Sequence, residues 1–187
     1  MAELHTEQLE YLINRLAQQS CRVDAVGLFP ANLAPRIARS RIRDTCFIMN
    51  TDAQGQPGTH WLAFYYDCAK DVLEYFDSFG APLSFYFNVS QTLAKRKIPI
   101  QAVNTHPLQS LTSAACGYYC VLYLHLRTWQ GGHMYAVTRL RKLARDANVR
   151  DAAAINTMHK LMHTYRCDAL PSVSCCTRFS QSCTCWQ

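Results

Sequence analysis

Residues 60–80 read HWLAFYYDCAKDVLEYFDSFG, and this stretch decides the fold. His60–Tyr66 is apolar and rich in aromatics, Asp67–Asp71 is turn-forming, and Val72–Phe76 is apolar again. Two short runs of strand-favouring residues around a polar turn make an antiparallel hairpin. Facing residues in such a hairpin have a constant sum of positions. A turn centred on Cys68–Ala69 sets that sum at 137 and places His60 opposite Asp77. Directly opposed residues project from one face, with Cβ atoms about 4.5–5.5 Å apart. A carboxylate so placed accepts the imidazole N–H, fixes the tautomer and leaves the other ring nitrogen free as a base. Taken singly, His60 reads as a strand-end histidine and Asp77 as a turn former; their opposition makes the pair informative.

Outward from the hairpin, the elements are coarser. Leu9, Leu12, Ile13 and Leu16 recur at helical spacing, which predicts an amphipathic helix over about 6–19 with Thr6 as N-cap. Residues 27–44 hold Gly27, Pro30, Pro35 and several arginines and read as irregular. Thr45–Asn50 is strand-like, and Asp52–Thr59, with Gly55, Pro57 and Gly58, is a loop. Beyond the hairpin, Ser84 to about Lys95 reads as a helix and Ile98–Val103 as a strand. The apolar run from about Ala115 to Thr128 is too long for one strand and predicts a buried helix. Residues 134–147 and 151–165 predict two more helices. Strands in the middle with helices at both ends define an α+β class.

The buried helix opens with SAACGYYC, residues 113–120. A thiol at a helix N-terminus feels the positive end of the macrodipole, which favours the reactive thiolate. Gly117 removes bulk beside Cys116, so a substrate backbone can approach closely. Cys120 lies deeper in the apolar run and reads as core. Gln109 stands seven residues before Cys116. Its side-chain amide can donate to a developing oxyanion beside the Cys116 N–H; without a family to compare, it reads as an ordinary loop glutamine.

GTHWLAFYYD, YFDSFG, Gln109 and SAACGYYC, in this order and at these spacings, resemble the adenain (adenovirus protease) family. The matching core runs from about residue 27 to 128. The resemblance implies a papain-like circularly permuted cysteine protease, with a central mixed sheet packed against the helix that carries the nucleophile. It implies Cys116 as nucleophile, His60 as base, Asp77 orienting that base and Gln109 in the oxyanion hole. It further implies cleavage after small residues, Gly-Gly or Gly-X, in viral capsid and core precursors during virion maturation, in the host nucleus and the particle. Residues 1–170 then form one protease domain and 171–187 a flexible Cys/Ser-rich tail. Protein or peptide substrates follow as partners, with DNA and a peptide as activators. Adenain's activating peptide forms a disulfide with a cysteine about eighteen residues before the nucleophile. Here that position is Ile98, so a covalent link of that kind is not expected. Asp77 stands where the family can carry Glu. Trp61 is expected to face away from His60, as core or cleft wall.

Two other readings compete. A protease removing ubiquitin or a ubiquitin-like protein would use the same triad and the same Gly-Gly ends. A non-enzymatic, basic nucleic-acid-binding particle protein on the same scaffold would draw on the net charge of +6. Arginines cluster at 36–43 and 139–145, with Lys95, Arg96 and Lys97 between. Such clusters hold phosphates without reading sequence, or simply solvate a surface.

Ten cysteines without a signal-peptide pattern predict reduced thiols in an intracellular protein. No run approaches the roughly 18 apolar residues of a membrane span. Cys175, Cys176, Cys183 and Cys185 lack paired CxxC spacing, and His159 and His163 lack the Glu of an HExxH site, so no metal is expected.

Overall fold

A computed structural model describes residues 4–20, 22–37, 43–130 and 132–167. The chain runs through α1 (Thr6–Gln19), β1 (Val23–Phe29), β2 (Asp44–Asn50), β3 (Trp61–Asp67) and β4 (Val72–Phe76). It continues through α2 (Phe87–Ala94), β5 (Ile100–Ala102), α3 (Cys116–Gln130), α4 (His133–Arg141) and α5 (Ala147–Cys167). The five strands lie in chain order in one mixed sheet: β1 parallel to β2, β2–β3–β4 antiparallel, and β5 parallel to β4. The class is α+β.

The sheet is buried on both faces, and the alternation of β3 and β4 shows why. Trp61, Ala63, Tyr65 and Phe76 face a large core shared with α1, α3, α4 and α5. Leu62, Phe64, Tyr66, Leu73 and Tyr75 face a smaller core closed by Val89 and Leu93 of α2. Both faces being apolar, these strands read as continuous hydrophobic runs. Trp61 and His60 therefore look to opposite faces, and Trp61 lies in the large core.

Several expectations are corrected. The residue preceding α1 is His5 rather than Thr6; its N–H donates to Gln8 Oε1 at 3.0 Å, so the glutamine satisfies the helix end. The segment read as irregular from residue 27 includes the end of β1. Gly27, at φ 99°, and a register break between Ala25 and Leu28 interrupt the alternation that would have revealed that strand. The segment 84–95 divides into a 3₁₀ turn, Leu83–Phe85, and α2, because Tyr86 departs from helical geometry. The helix read over 134–147 stops at Arg141, and α5 begins at Ala147 rather than 151. The cysteine-rich tail lies outside the described residues.

The hairpin register is also corrected. Ala63 faces Phe76 and Asp67 faces Val72, a positional sum of 139 rather than 137. The turn is thus centred one residue later, on Ala69–Lys70, and Asp71 takes up positive φ (51°) within it. A change of two in the sum preserves side-chain parity. His60 and Asp77 consequently remain on one face as diagonal neighbours instead of facing each other.

Candidate active site

Asp77 follows β4 and is fully buried. His60 Nε2 donates to its Oδ1 at 2.7 Å. The same carboxylate accepts the Phe79 N–H (3.0 Å), the Ala81 N–H (2.9 Å) and the Tyr86 hydroxyl (3.0 Å). Four donors hold both oxygens, so neither carboxylate position nor imidazole tautomer is free to vary. The tight turn after Asp77 depends on Gly80. Its φ is +71°, and an added Cβ would stand 2.5 Å from the His106 backbone nitrogen. Only glycine lets the chain double back here against another backbone.

The His60 ring is stacked on Phe79, with centroids 4.7 Å apart, and on Tyr86 at 5.7 Å. Burial works against its charged form. Hydrogen bonds to Asp77 and Cys116, and the charges of both, outweigh that effect and lift its pKa to about 9. Nε2 being committed to Asp77, Nδ1 is the nitrogen left for the Cys116 thiol.

Cys116 is the first residue of α3, and the first helical hydrogen bond runs from Tyr119 N to Ala115 O at 3.1 Å. The amides of Cys116, Gly117 and Tyr118 thus fall among those with no intrahelical acceptor. Gly117 presses α3 onto α1: a Cβ there would meet Leu9 Cδ2 at 3.2 Å and Leu4 Cβ at 3.3 Å. The glycine read as clearance for a substrate is, in the structure, clearance for α1. Cys120 is a different kind of thiol. It is fully buried, donates to the Trp61 carbonyl at 3.2 Å, and burial pushes its pKa well up, so it stays protonated.

Gln109 is buried, and its amide orientation is set by two partners. Its Oε1 accepts from Ser78 Oγ at 2.6 Å, and its Nε2 donates to the Ser113 carbonyl at 2.6 Å. One amide hydrogen of Nε2 remains beyond the Ser113 bond. Ser78 also accepts the Leu108 and Gln109 N–H groups at its carbonyl, joining the DSFG turn to the loop before α3. Ser78 and Tyr86 were missed in the sequence. Ser78 sits beside Asp77 in the quoted motif, but its partner is 31 positions away. Asn104, likewise missed, donates to the Asp77 carbonyl at 2.8 Å.

The remaining sequence candidates separate. Ile98 is buried and belongs to the smaller core. Arg43 pairs with Asp24 at 2.8 Å, and Arg96 donates to the Ala34 carbonyl, so both have structural partners. Arg139, Arg141, Lys142 and Arg145 are exposed on α4 and just after it; Arg39 and Arg41 lie outside the described residues. His159 and His163 are exposed on α5, and His159 makes an edge contact with Tyr118. Among the described residues no helix is long and apolar enough to cross a membrane.

A mixed sheet with an imidazole–carboxylate pair at its end and a thiol opening the packed helix has the fold of SUMO-protease-like cysteine proteases. SUMO protease Ulp1, with its catalytic cysteine oxidized to a sulfenic acid, is similar at a TM-score of 0.51 and 12% identity over 83% of this chain and 78% of that one. The Chlamydia trachomatis effector Cdu1 bound to ubiquitin is similar at 0.51 and 12% over 88% and 80%. The chain belongs to the adenovirus endoprotease family, whose model matches residues 26–165. The protease of bovine adenovirus B serotype 3 is 30% identical over 112 residues, 54% of this chain and 54% of that protein. The protease of snake adenovirus serotype 1 is 28% identical over 130 residues, 64% of this chain and 62% of its own length. The match thus spans between about half and two thirds of these relatives.

Proposed function

We propose that the chain is a cysteine endopeptidase in which Cys116 is the nucleophile, His60 the proton carrier, Asp77 the group that orients and charges His60, and Gln109 an oxyanion donor. The observation that carries this reading is the buried His60–Asp77 hydrogen bond at 2.7 Å, with Cys116 at the start of α3 close enough to act on the His60 pKa. The reacting form is the thiolate, its proton carried by His60 Nδ1. Sulfur attacks the scissile carbonyl, and the carbonyl oxygen takes the charge between the Cys116 N–H and the free N–H of Gln109. As the tetrahedral centre collapses, the C–N bond breaks and His60 Nδ1 gives its proton to the leaving amine. The neutral imidazole then takes a proton from water, whose hydroxyl displaces sulfur from the acyl group and restores the thiolate.

The substrate side of the proposal rests on access. Cys116 is only 3% exposed and Gln109 only 2%. A peptide reaching them has no room for branched side chains next to the bond, which suits Gly-Gly or Gly-X sequences. Leu4, which touches Gly117, lines a groove of about 450 Å³ with Leu28, Leu33 and Trp61, and we assign the acyl side of the substrate to it. Viral precursor proteins are the substrate class proposed, acted on in the nucleus of an infected cell and in the particle. Nucleic acid is proposed as a non-specific activator on the exposed cations of α4, and a peptide activator, if used, binds without a disulfide at Ile98.

Labelling with limiting iodoacetamide at neutral pH tests the assignment. Cys116 should be alkylated ahead of every other cysteine and should lose that lead in His60→Ala. Equal reactivity, with no cleavage of Gly-Gly peptides in the presence or absence of DNA, would overturn it. Turnover of ubiquitin or SUMO conjugates without turnover of short peptides would move the activity to the class of the two fold neighbours.

A further inference from the structure

We infer that the groove beside His60 is a subsite for the leaving-group side of the substrate, and that it takes a lysine or arginine side chain with Asp52 as its anionic contact. The inference rests on the thiol-protease reading above and adds a specificity determinant to it.

Two grooves flank the loop between β2 and β3. The one lined by Trp61 does not include His60; the second, also about 450 Å³, does. Because His60 must hand its proton to the departing amine, the segment after the scissile bond passes through the groove that His60 lines. Phe79, Phe85 and Phe87 supply its walls. Phe85 is 74% exposed and Phe87 65%, although burial of such rings is favourable. Aromatic rings left in water next to a proton donor mark a surface that a ligand covers.

Asp52 supplies the charge. It lines both grooves, and its Oδ2 is shielded from solvent with no hydrogen-bond partner among the described residues. A carboxylate oxygen in that condition is destabilised until a donor reaches it. The backbone that carries Asp52 is held in place, its N–H donating to Asn50 Oδ1 at 2.9 Å and its carbonyl accepting the Ala31 N–H at 2.8 Å. Aromatic faces beside a carboxylate with one unpaired oxygen suit a side chain with an apolar stem and a cationic head. An aliphatic residue leaves Oδ2 unpaired, and an acidic one is repelled.

Internally quenched peptides with Gly-Gly before the bond test this, with Lys, norleucine or Glu in the first three positions after it. For the full chain, kcat/KM with Lys should exceed that with Glu by about tenfold or more, with norleucine between. In Asp52→Asn the Lys/Glu ratio should fall to within about twofold of unity, and Asp52→Lys should invert it. A ratio within one preparation is insensitive to how much of a variant is folded. A Gly-Gly coumarin amide carries no residue on the leaving side and so reports the thiol chemistry alone. Cleavage of that amide with no lysine preference, or with a preference that survives Asp52→Asn, overturns the subsite and leaves the protease reading standing. A preference that follows lysine only on the acyl side would assign Asp52 to the other groove and overturn the leaving-side placement. No cleavage of any substrate, together with unselective alkylation of Cys116, would remove the protease reading and this subsite with it.

Discussion

At the scale of single residues, the state of His60 governs the site. Its pKa is raised from 6.5 to about 9 despite burial, and Asp77 is the foremost cause of the rise. A group whose native pKa lies above its unfolded value stabilises the fold fully below the unfolded value, and that contribution is lost as pH climbs through the native one. His60 therefore contributes most below about pH 6.5 and nothing above about 9. Asp77→Asn removes the charge, and its amide also meets the Ala81 N–H donor-to-donor. We expect at least a 100-fold fall in kcat. In urea denaturation, the stability margin of wild type over this variant should shrink between pH 6 and pH 10 toward a residue set by that donor clash. A margin flat across the range would mean that the native imidazole is uncharged.

At the scale of elements, α1 acts as the backstop of the helix that Cys116 opens. It lies outside the matched family region of residues 26–165, yet a Cβ added at Gly117 would stand 3.2–3.4 Å from Leu9 of α1 and from Leu4 just before it. Leu9→Ala should destabilise by about 2–5 kcal/mol, since Leu9 is fully buried in the large core. Gly117→Ala gains about 1 kcal/mol of helix propensity and loses it to the contact with Leu9. The decisive measurement is a double-mutant cycle. Gly117→Ala should be less costly in the Leu9→Ala background than in wild type, because two of the three nearest atoms it meets, Leu9 Cδ1 and Cδ2, are gone. Additive effects would show that α1 and α3 are not in register as described.

At the scale of the whole molecule, one buried charge cluster joins the sheet to the helical layer. Arg127 near the end of α3 donates to Glu74 of β4 at 2.7 and 3.0 Å and to Asp67 of β3 at 2.9 Å, and its guanidinium lies 4.1 Å from the Tyr65 ring centre. Tyr123 donates to the same glutamate at 2.9 Å, and His133 of α4 lies 3.1 Å from it. Removing one partner of such a cluster strands the others in a medium that solvates them poorly. Arg127→Met should destabilise by about 3–5 kcal/mol, and adding Glu74→Leu should return at least half of that in chemical denaturation. A double variant as unstable as the single one would show that packing of the arginine stem, not charge pairing, is what Arg127 supplies. At this scale too the basic patches divide: Arg43, Arg96 and Arg141 have structural partners, the last in Asn104 Oδ1 at 3.3 Å, whereas Arg139, Lys142 and Arg145 face solvent.

The sequence by itself determined the hairpin and the buried helix beginning at Cys116, and made His60, Asp77 and Cys116 candidates, because each is written in a local pattern: a run, a turn, a period or a motif; Gln109 entered only through the family resemblance. Parity along the strands sufficed to put His60 and Asp77 on one face even though the register was off by two, since parity survives an even shift and exact register does not. Only the tertiary structure decided the rest. Ser78 holds Gln109, Tyr86 and the Phe79 and Ala81 amides complete the shell of Asp77, Gly80 clears the His106 backbone, and Asp52 keeps an oxygen unpaired beside the groove. These relations join residues distant in sequence or set by the path of a loop, and no periodicity encodes them. They exist only once packing has fixed which backbones meet.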